Sequence, residues 1–237
     1  MLPVGARPSS ALVASWDYLA TMEFQKTTFN AGAGVPTAGP NAITWSDPNS
    51  GNQSILRITN SPVSGIAFTN SAIPAPGPRL EFVNQPIALT SATLANTILH
   101  FELALLSLDP LSPGPVSLAA NFSLAFAETG DTGACLISSP TPCPDILVLG
   151  GGVSSAPFVF AGDSYVIQFV APALGPLPAA ACAAAGVVPP CVGKVAEENT
   201  IDIDPDFRIL RLPVPVPPTL MFVGLGLLGL SLARHRD

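Results

Sequence analysis

Three acidic residues at alternate positions, Asp202, Asp204 and Asp206, have the spacing with which an oxygen-rich calcium loop opens. A hard divalent cation takes about six to eight oxygen ligands, so alternate carboxylates need further donors close by. Asp163, Glu197 and Glu198 are the acidic side chains able to join them. The stretch lacks a glycine for the sharp turn, and Pro213 stands at the twelfth position, where a bidentate Glu belongs. Ile201 and Ile203 interleave with the aspartates, so the same residues read equally as a strand with an acidic outer face. No cofactor or metal is assigned, and the aspartates stand as calcium candidates only.

His100 and Glu102 form the second group. Two residues apart on a strand they project to the same side, and a His–carboxylate pair is one ingredient of acid–base catalysis. Polar side chains on the solvent face of a strand give the same pattern without chemistry. The other histidine, His235, lies in the C-terminal tip. Hydrolase elbows, phosphate-binding loops, dinucleotide fingerprints and HExxH zinc motifs are missing. Glu81, Glu102 and Glu128 are isolated, with nothing to pair them across a sugar ring. The expectation is no catalytic residue and no enzyme.

Four cysteines stand as two close pairs, Cys135 with Cys143 and Cys182 with Cys191. Neither pair has CxxC spacing, and with two histidines a zinc site would be mostly thiolate. Two local disulfides are the simpler reading, the alternative being four reduced thiols in the cytosol. Each bridge would close a loop of about ten residues, worth ~2–3 kcal/mol of chain entropy, and would imply an oxidising compartment. The formal charge is −7, with Lys26 and Lys194 the only lysines. That balance leaves no electrostatic footprint for nucleic acid.

The elements that must position these residues are short strands. Leu99, Phe101, Leu103 and Leu105 alternate with His100 and Glu102. Phe122, Leu124 and Phe126 alternate with Asn121 and Ser123, Tyr165, Ile167 and Phe169 with Ser164 and Gln168, and Phe207 and Ile209 flank Arg208. Turn clusters such as Pro74–Pro78, Asp109–Pro115 and Gly150–Gly152 separate them. An all-β chain is predicted: an antiparallel β-sandwich, jelly-roll or immunoglobulin-like, over residues 12–212 after a disordered stretch 1–11. Ala179–Ala185 has room for a helical turn or two between the last cysteines. Trp16, Tyr18, Trp45 and Tyr165 are the rings available to stack on a sugar, or to fill the core.

The C-terminal region is of another kind. A Pro-rich linker, residues 213–219, holds Val214, Pro215, Val216 and Pro217; the uncharged run 220–233 follows, and the tip 234–237 carries Arg234 and Arg236. As a helix the run rises ~21 Å, short of the ~30 Å hydrocarbon core, and counting from Pro217 brings it nearer to spanning. The arginines set the C-terminus in the cytoplasm and everything before the run outside. This layout resembles the PEP-CTERM sorting signals of Gram-negative bacteria. The resemblance implies insertion in the inner membrane through residues 220–233 and processing by an exosortase. Val216 stands where that family has Glu, so the tail is similar to its VPLPA variant. Met1–Pro8 lacks the apolar stretch of a secretory signal, and the exported reading expects a start upstream of Met1.

The body carries a second resemblance. Ile43–Pro48 with Gly51–Ser54, Cys143–Ile146 with Phe158–Phe160 and Tyr165, and Leu174–Leu177 with Ala180–Cys182, Cys191–Gly193 and Glu197–Thr200 are similar to segments of the THxN family of PEP-CTERM proteins. The motif that names the family is replaced by Glu81–Ile87, which keeps Asn84, Pro86 and Ile87. The resemblance implies an exported surface protein with no assigned catalytic activity, associated with exopolysaccharide. A carbohydrate- or calcium-binding module is the alternative.

Overall fold

The structure is a computed structural model that describes residues 12–46, 52–88, 90–111, 114–129, 143–150, 155–196 and 200–213. The described strands are, in chain order, β1 (Ser15–Phe29), β2 (Thr37–Ala38), β3 (Ala42–Trp45), β4 (Ser54–Thr59) and β5 (Val63–Phe68). Next come β6 (Arg79–Val83), β7 (Leu94–Ser107), β8 (Val116–Ala127), β9 (Asp145–Gly150) and β10 (Ser155–Phe160). The last are β11 (Asp163–Val170), β12 (Gly175–Pro176), β13 (Val192–Ala196), β14 (Thr200–Ile203) and β15 (Asp206–Arg211). One short helix, α1 (Ala179–Ala184), precedes β13.

The strands form an all-β, sandwich-like body. One layer is a seven-stranded sheet in the order β12–β13–β9–β8–β7–β1–β5. Facing it are a three-stranded sheet, β10–β11–β15, and a five-stranded sheet, β14–β6–β4–β3–β2. Every strand pair in these sheets is antiparallel. The two smaller sheets share one path: β14 ends at Ile203, and after Asp204 and Pro205 β15 begins in the other sheet.

Alternation builds the core. In β1, Trp16, Tyr18, Ala20, Met22 and Phe24 are buried, and in β7 Leu99, Phe101, Leu103 and Leu105 are. A period of two puts these sets on one face of the large sheet. Edge-on aromatic contacts tie the layers together. Trp16 meets Phe160 and Tyr165 at 5.1 and 5.4 Å, Tyr18 meets Phe207 at 5.0 Å, and Phe169 meets Phe101 and Phe122 at 5.0 and 5.1 Å. Each such pair is worth ~0.5–1.5 kcal/mol beyond its buried area. Trp45, Phe82 and Phe126 do the same between the five-stranded sheet and β8.

β9 departs from alternation. Leu147 and Leu149 join the main core, while Ile146 and Val148, on the opposite face, are fully buried under Ala181, Cys182 and Cys191. The excursion carrying α1 folds back over the outer face, and the Cys182–Cys191 disulfide closes it. That bridge holds a small second core against the large sheet. The helical turns expected over Ala179–Ala185 are α1, which carries Cys182 itself.

Candidate functional site

The outer face of the large sheet carries His100. Because Leu99 and Phe101 point inward, His100 and Glu102 point out. Register sets Asn121 of β8 on one side of His100 and Glu23 of β1 on the other. His100 Nδ1 lies 2.7 Å from Asn121 Oδ1, and Nε2 lies 3.2 Å from Glu102 Oε1. Gln25 Nε2 donates to Glu23 Oε1 at 2.5 Å. Oxygen faces both ring nitrogens, an arrangement complete when both carry protons. The imidazole is accordingly held above its ordinary pKa: the bond to Asn121 does most, burial opposes it, and Glu102 and Glu23 add to it.

Asn121 and Glu102 occupy both nitrogens of His100. The ring is a hydrogen-bonded member of a polar platform. Sequence reasoning placed His100 and Glu102 on one face and missed Asn121 and Glu23, whose neighbourhood depends on strand register.

Two grooves flank the platform. One is a shallow, open depression of about 330 Å³ over Thr21, Glu102, Ala104, Ser117 and Ala119, where small side chains leave the sheet uncovered. The other, about 500 Å³, runs between α1 and the large sheet, with Asn30, Asn96 and Ser123 on one wall and Ala184–Val187 on the other. Its amide and hydroxyl groups could bond sugar hydroxyls. Of the two fates open to the rings Trp16, Tyr18, Trp45 and Tyr165, core packing is the one observed, since all four are buried. Between the sheets, an apolar slot against Leu99, Phe122 and Phe169 measures only about 30 Å³. A pocket for a small ligand is usually ~300–1,000 Å³.

The aspartate series is divided. Asp202 faces Glu81 across the β14–β6 pairing, and Arg79 of β6 reaches over it. Arg79 Nε donates to Asp204 Oδ1 at 2.9 Å, and Nη1 lies 3.5 Å from Asp202 Oδ2. A guanidinium thus stands between the two carboxylates that a calcium ion would have bridged. Asp206 accepts a hydrogen bond from the Gly77 backbone, while burial, helped by Asp204, pushes its pKa up. Gly77 is required there: a Cβ would lie 2.1 Å from the Pro205 carbonyl oxygen. Asp163, one of the candidate additional ligands, is buried and takes Arg211 Nη2 at 2.8 Å. Glu197 and Glu198 lie outside the described residues. No group of three or more metal-ligating side chains occurs among the described residues. The aspartates are thus arranged as ion-paired cross-strand residues, with Arg79, remote in sequence, the partner that sequence reading missed.

Of the cysteines, Cys182 and Cys191 are bonded to each other, and Cys143 is disulfide-bonded too. Its expected partner, Cys135, lies outside the described residues, as do Val214, Pro215, Val216, Pro217, Arg234 and Arg236. No described helix is long and apolar enough to cross a membrane.

Residues of the stretches 45–54 and 82–86 meet in space. Trp45 stacks on Phe82 at 5.9 Å, Ser54 Oγ accepts from the Gln85 backbone N–H at 3.1 Å, and Asn52 Nδ2 donates to the Pro86 carbonyl at 3.2 Å. Ser46 Oγ donates to the Asn52 carbonyl. Asn84 is buried beside them in sequence. These residues join β3, β4 and the segment after β6, which is a packing role. In comparisons with known proteins, the chain matches no family model and no curated sequence.

Proposed function

We propose that this chain is an exported bacterial protein of the cell envelope or extracellular matrix, without catalytic activity and associated with exopolysaccharide. It enters the inner membrane through residues 220–233 and is processed by an exosortase near Val214–Pro217. The structural observation that carries this reading is the Cys182–Cys191 disulfide, which closes the cover over Ile146 and Val148. Such bonds persist in oxidising compartments, the side of the membrane on which the tail's arginines leave the body. Fractionation of source cells with and without a functional exosortase tests the reading. The chain should leave the inner membrane only when the exosortase is active, and unchanged release without it would reject processing.

A carbohydrate-binding reading is favoured by one feature, the groove with Asn30, Asn96 and Ser123 along one wall. Binding to a polysaccharide array that Asn96→Ala abolishes would support it; equal binding by both proteins would dismiss the groove.

A further inference from the structure

Large apolar side chains are exposed at one end of the sandwich, on several segments that hydrogen bonds hold together. Thr69, just beyond β5, donates its backbone N–H to Ala14 O at 3.0 Å and its hydroxyl to Val13 O at 2.7 Å. Arg211 N donates to Asn70 Oδ1 at 3.0 Å, and Leu108 N donates to Ser15 O at 3.1 Å. The incoming chain, the turn after β5, the β7–β8 loop and the outgoing chain therefore share this end. Leu12, Phe68, Ile73, Leu108, Leu111 and Leu212 are its exposed apolar residues, with Ile73 at 80 % and Leu111 at 74 %. At the other end Val35 and Val188 stand singly on separate loops. Scattered apolar residues need no explanation, whereas a cluster drawn from several segments marks a contact surface.

The chain itself says what that surface meets. The described residues end at Pro213, beside Asn70 and Leu212. Only Val214–Thr219 separates it from the uncharged run that begins at Leu220. A Pro-rich linker extends ~3.1 Å per residue, so these residues reach ~19 Å. The headgroup layer on each side of a bilayer takes up ~5–8 Å of that distance. A body on so short a leash, leaving it from its apolar end, keeps that end within ~11–14 Å of the headgroup surface, near enough to touch it. Charge does not oppose the contact strongly: buried Asp163 is paired with Arg211, and Asp109 and Asp17 are the other acids at or beside this end.

We propose that in the uncleaved precursor this end rests on the outer leaflet of the membrane, with Phe68, Ile73, Leu108 and Leu111 in the boundary between headgroups and acyl chains. Side chains of this kind bind an interface through their buried apolar area, and a chain of net charge −7 gains little from anionic lipid. The surface rests on the membrane-inserted reading of residues 220–233, and the test separates the two. Ile73→Cys, Leu111→Cys and, at the far end, Val35→Cys are introduced singly into the full chain, spin-labelled, and reconstituted in phosphatidylcholine vesicles. All three sites are exposed, and no described native cysteine is free to compete for label. Collisions with oxygen should rise, and those with a water-soluble nickel chelate fall, several-fold at 73 and 111 relative to 35. A chain that floats with the vesicles while all three labels stay equally aqueous overturns the surface and leaves the anchor intact. A chain that does not float removes the anchor and the surface with it. Shielding at 73 and 111 that survives in detergent, with spin–spin broadening, assigns the patch to a second copy and overturns the lipid contact.

Discussion

His100 and Asn121 face each other across β7 and β8, with Nδ1 2.7 Å from Oδ1, and Glu102 closes the other side of the ring. The imidazole pKa is raised in the folded chain, first by Asn121. A raised folded value means the cluster's contribution is fully present below the unfolded histidine pKa and is lost as pH rises through the folded value. Glu102 is 64 % exposed, so solvent screens its share. The stabilisation should fall as pH rises from the ordinary histidine value of about 6.5 through the higher folded one. Urea unfolding of Asn121→Ala across that window should show a flatter dependence than the parent; an identical dependence would reject the cluster as its source.

Asp206 carries the opposite kind of strain. Burial and neighbouring Asp204 raise its pKa, against the stabilising Gly77 hydrogen bond. Its charged form is therefore disfavoured by folding, and the resulting loss of stability develops as pH rises through its folded pKa. Asp206→Asn keeps an acceptor for Gly77 and removes the charge. At neutral pH it should raise stability, with no gain in acid where the parent carboxyl is already protonated. Chemical denaturation at the two pH values reads the difference, and a loss at neutral pH would contradict the assignment.

Tyr18 lies over Gly65 on the adjacent strand. A Cβ at Gly65 would stand 3.1 Å from Tyr18 Cε1 and Oη, and the phenol is held by a 3.0 Å bond to the Pro76 carbonyl. Phe207 packs edge-on against the same ring at 5.0 Å. Ala would restrict the unfolded chain and gain ~0.4–1 kcal/mol, but crowding a ring fixed on two sides costs ~1–3 kcal/mol. Gly65→Ala should thus lower stability by about 1 kcal/mol, read as a lower thermal midpoint. An unchanged or higher midpoint would mean the ring moves freely.

Removing the Cys182–Cys191 bridge should loosen a region as well as lower the total. The Cys182→Ser, Cys191→Ser pair is expected to cost ~2–3 kcal/mol. Hydrogen exchange should quicken in α1 and at Ile146 and Val148, whose outer cover the bridge closes, while β7 at Phe101 changes only with global stability. Uniform acceleration throughout the sandwich would show that the cover is not a local unit.

The visible half of this architecture is the half written in short range. Leu99–Leu105 and Tyr165–Phe169 alternate, and the structure buries the predicted sides. β9 reads as a plain apolar run because its second cover comes from residues 177–191, which no local period encodes. Asn121 opposite His100 follows from the register of β7 against β8, set across the loop between them. Arg79 meets Asp204 at a sequence separation of 125, so the calcium-like spacing was legible and its resident cation was not. The split of the second layer at Asp204–Pro205 was likewise hidden in what reads as one acidic stretch.

Export followed by removal of the tail is the central claim, and intact-mass spectrometry of the protein recovered from source cells tests it most directly. The predicted result is a chain outside the inner membrane, ending within residues 213–219, with its cysteines oxidised. A cytosolic chain retaining Arg234 and Arg236, with reduced cysteines, would contradict it.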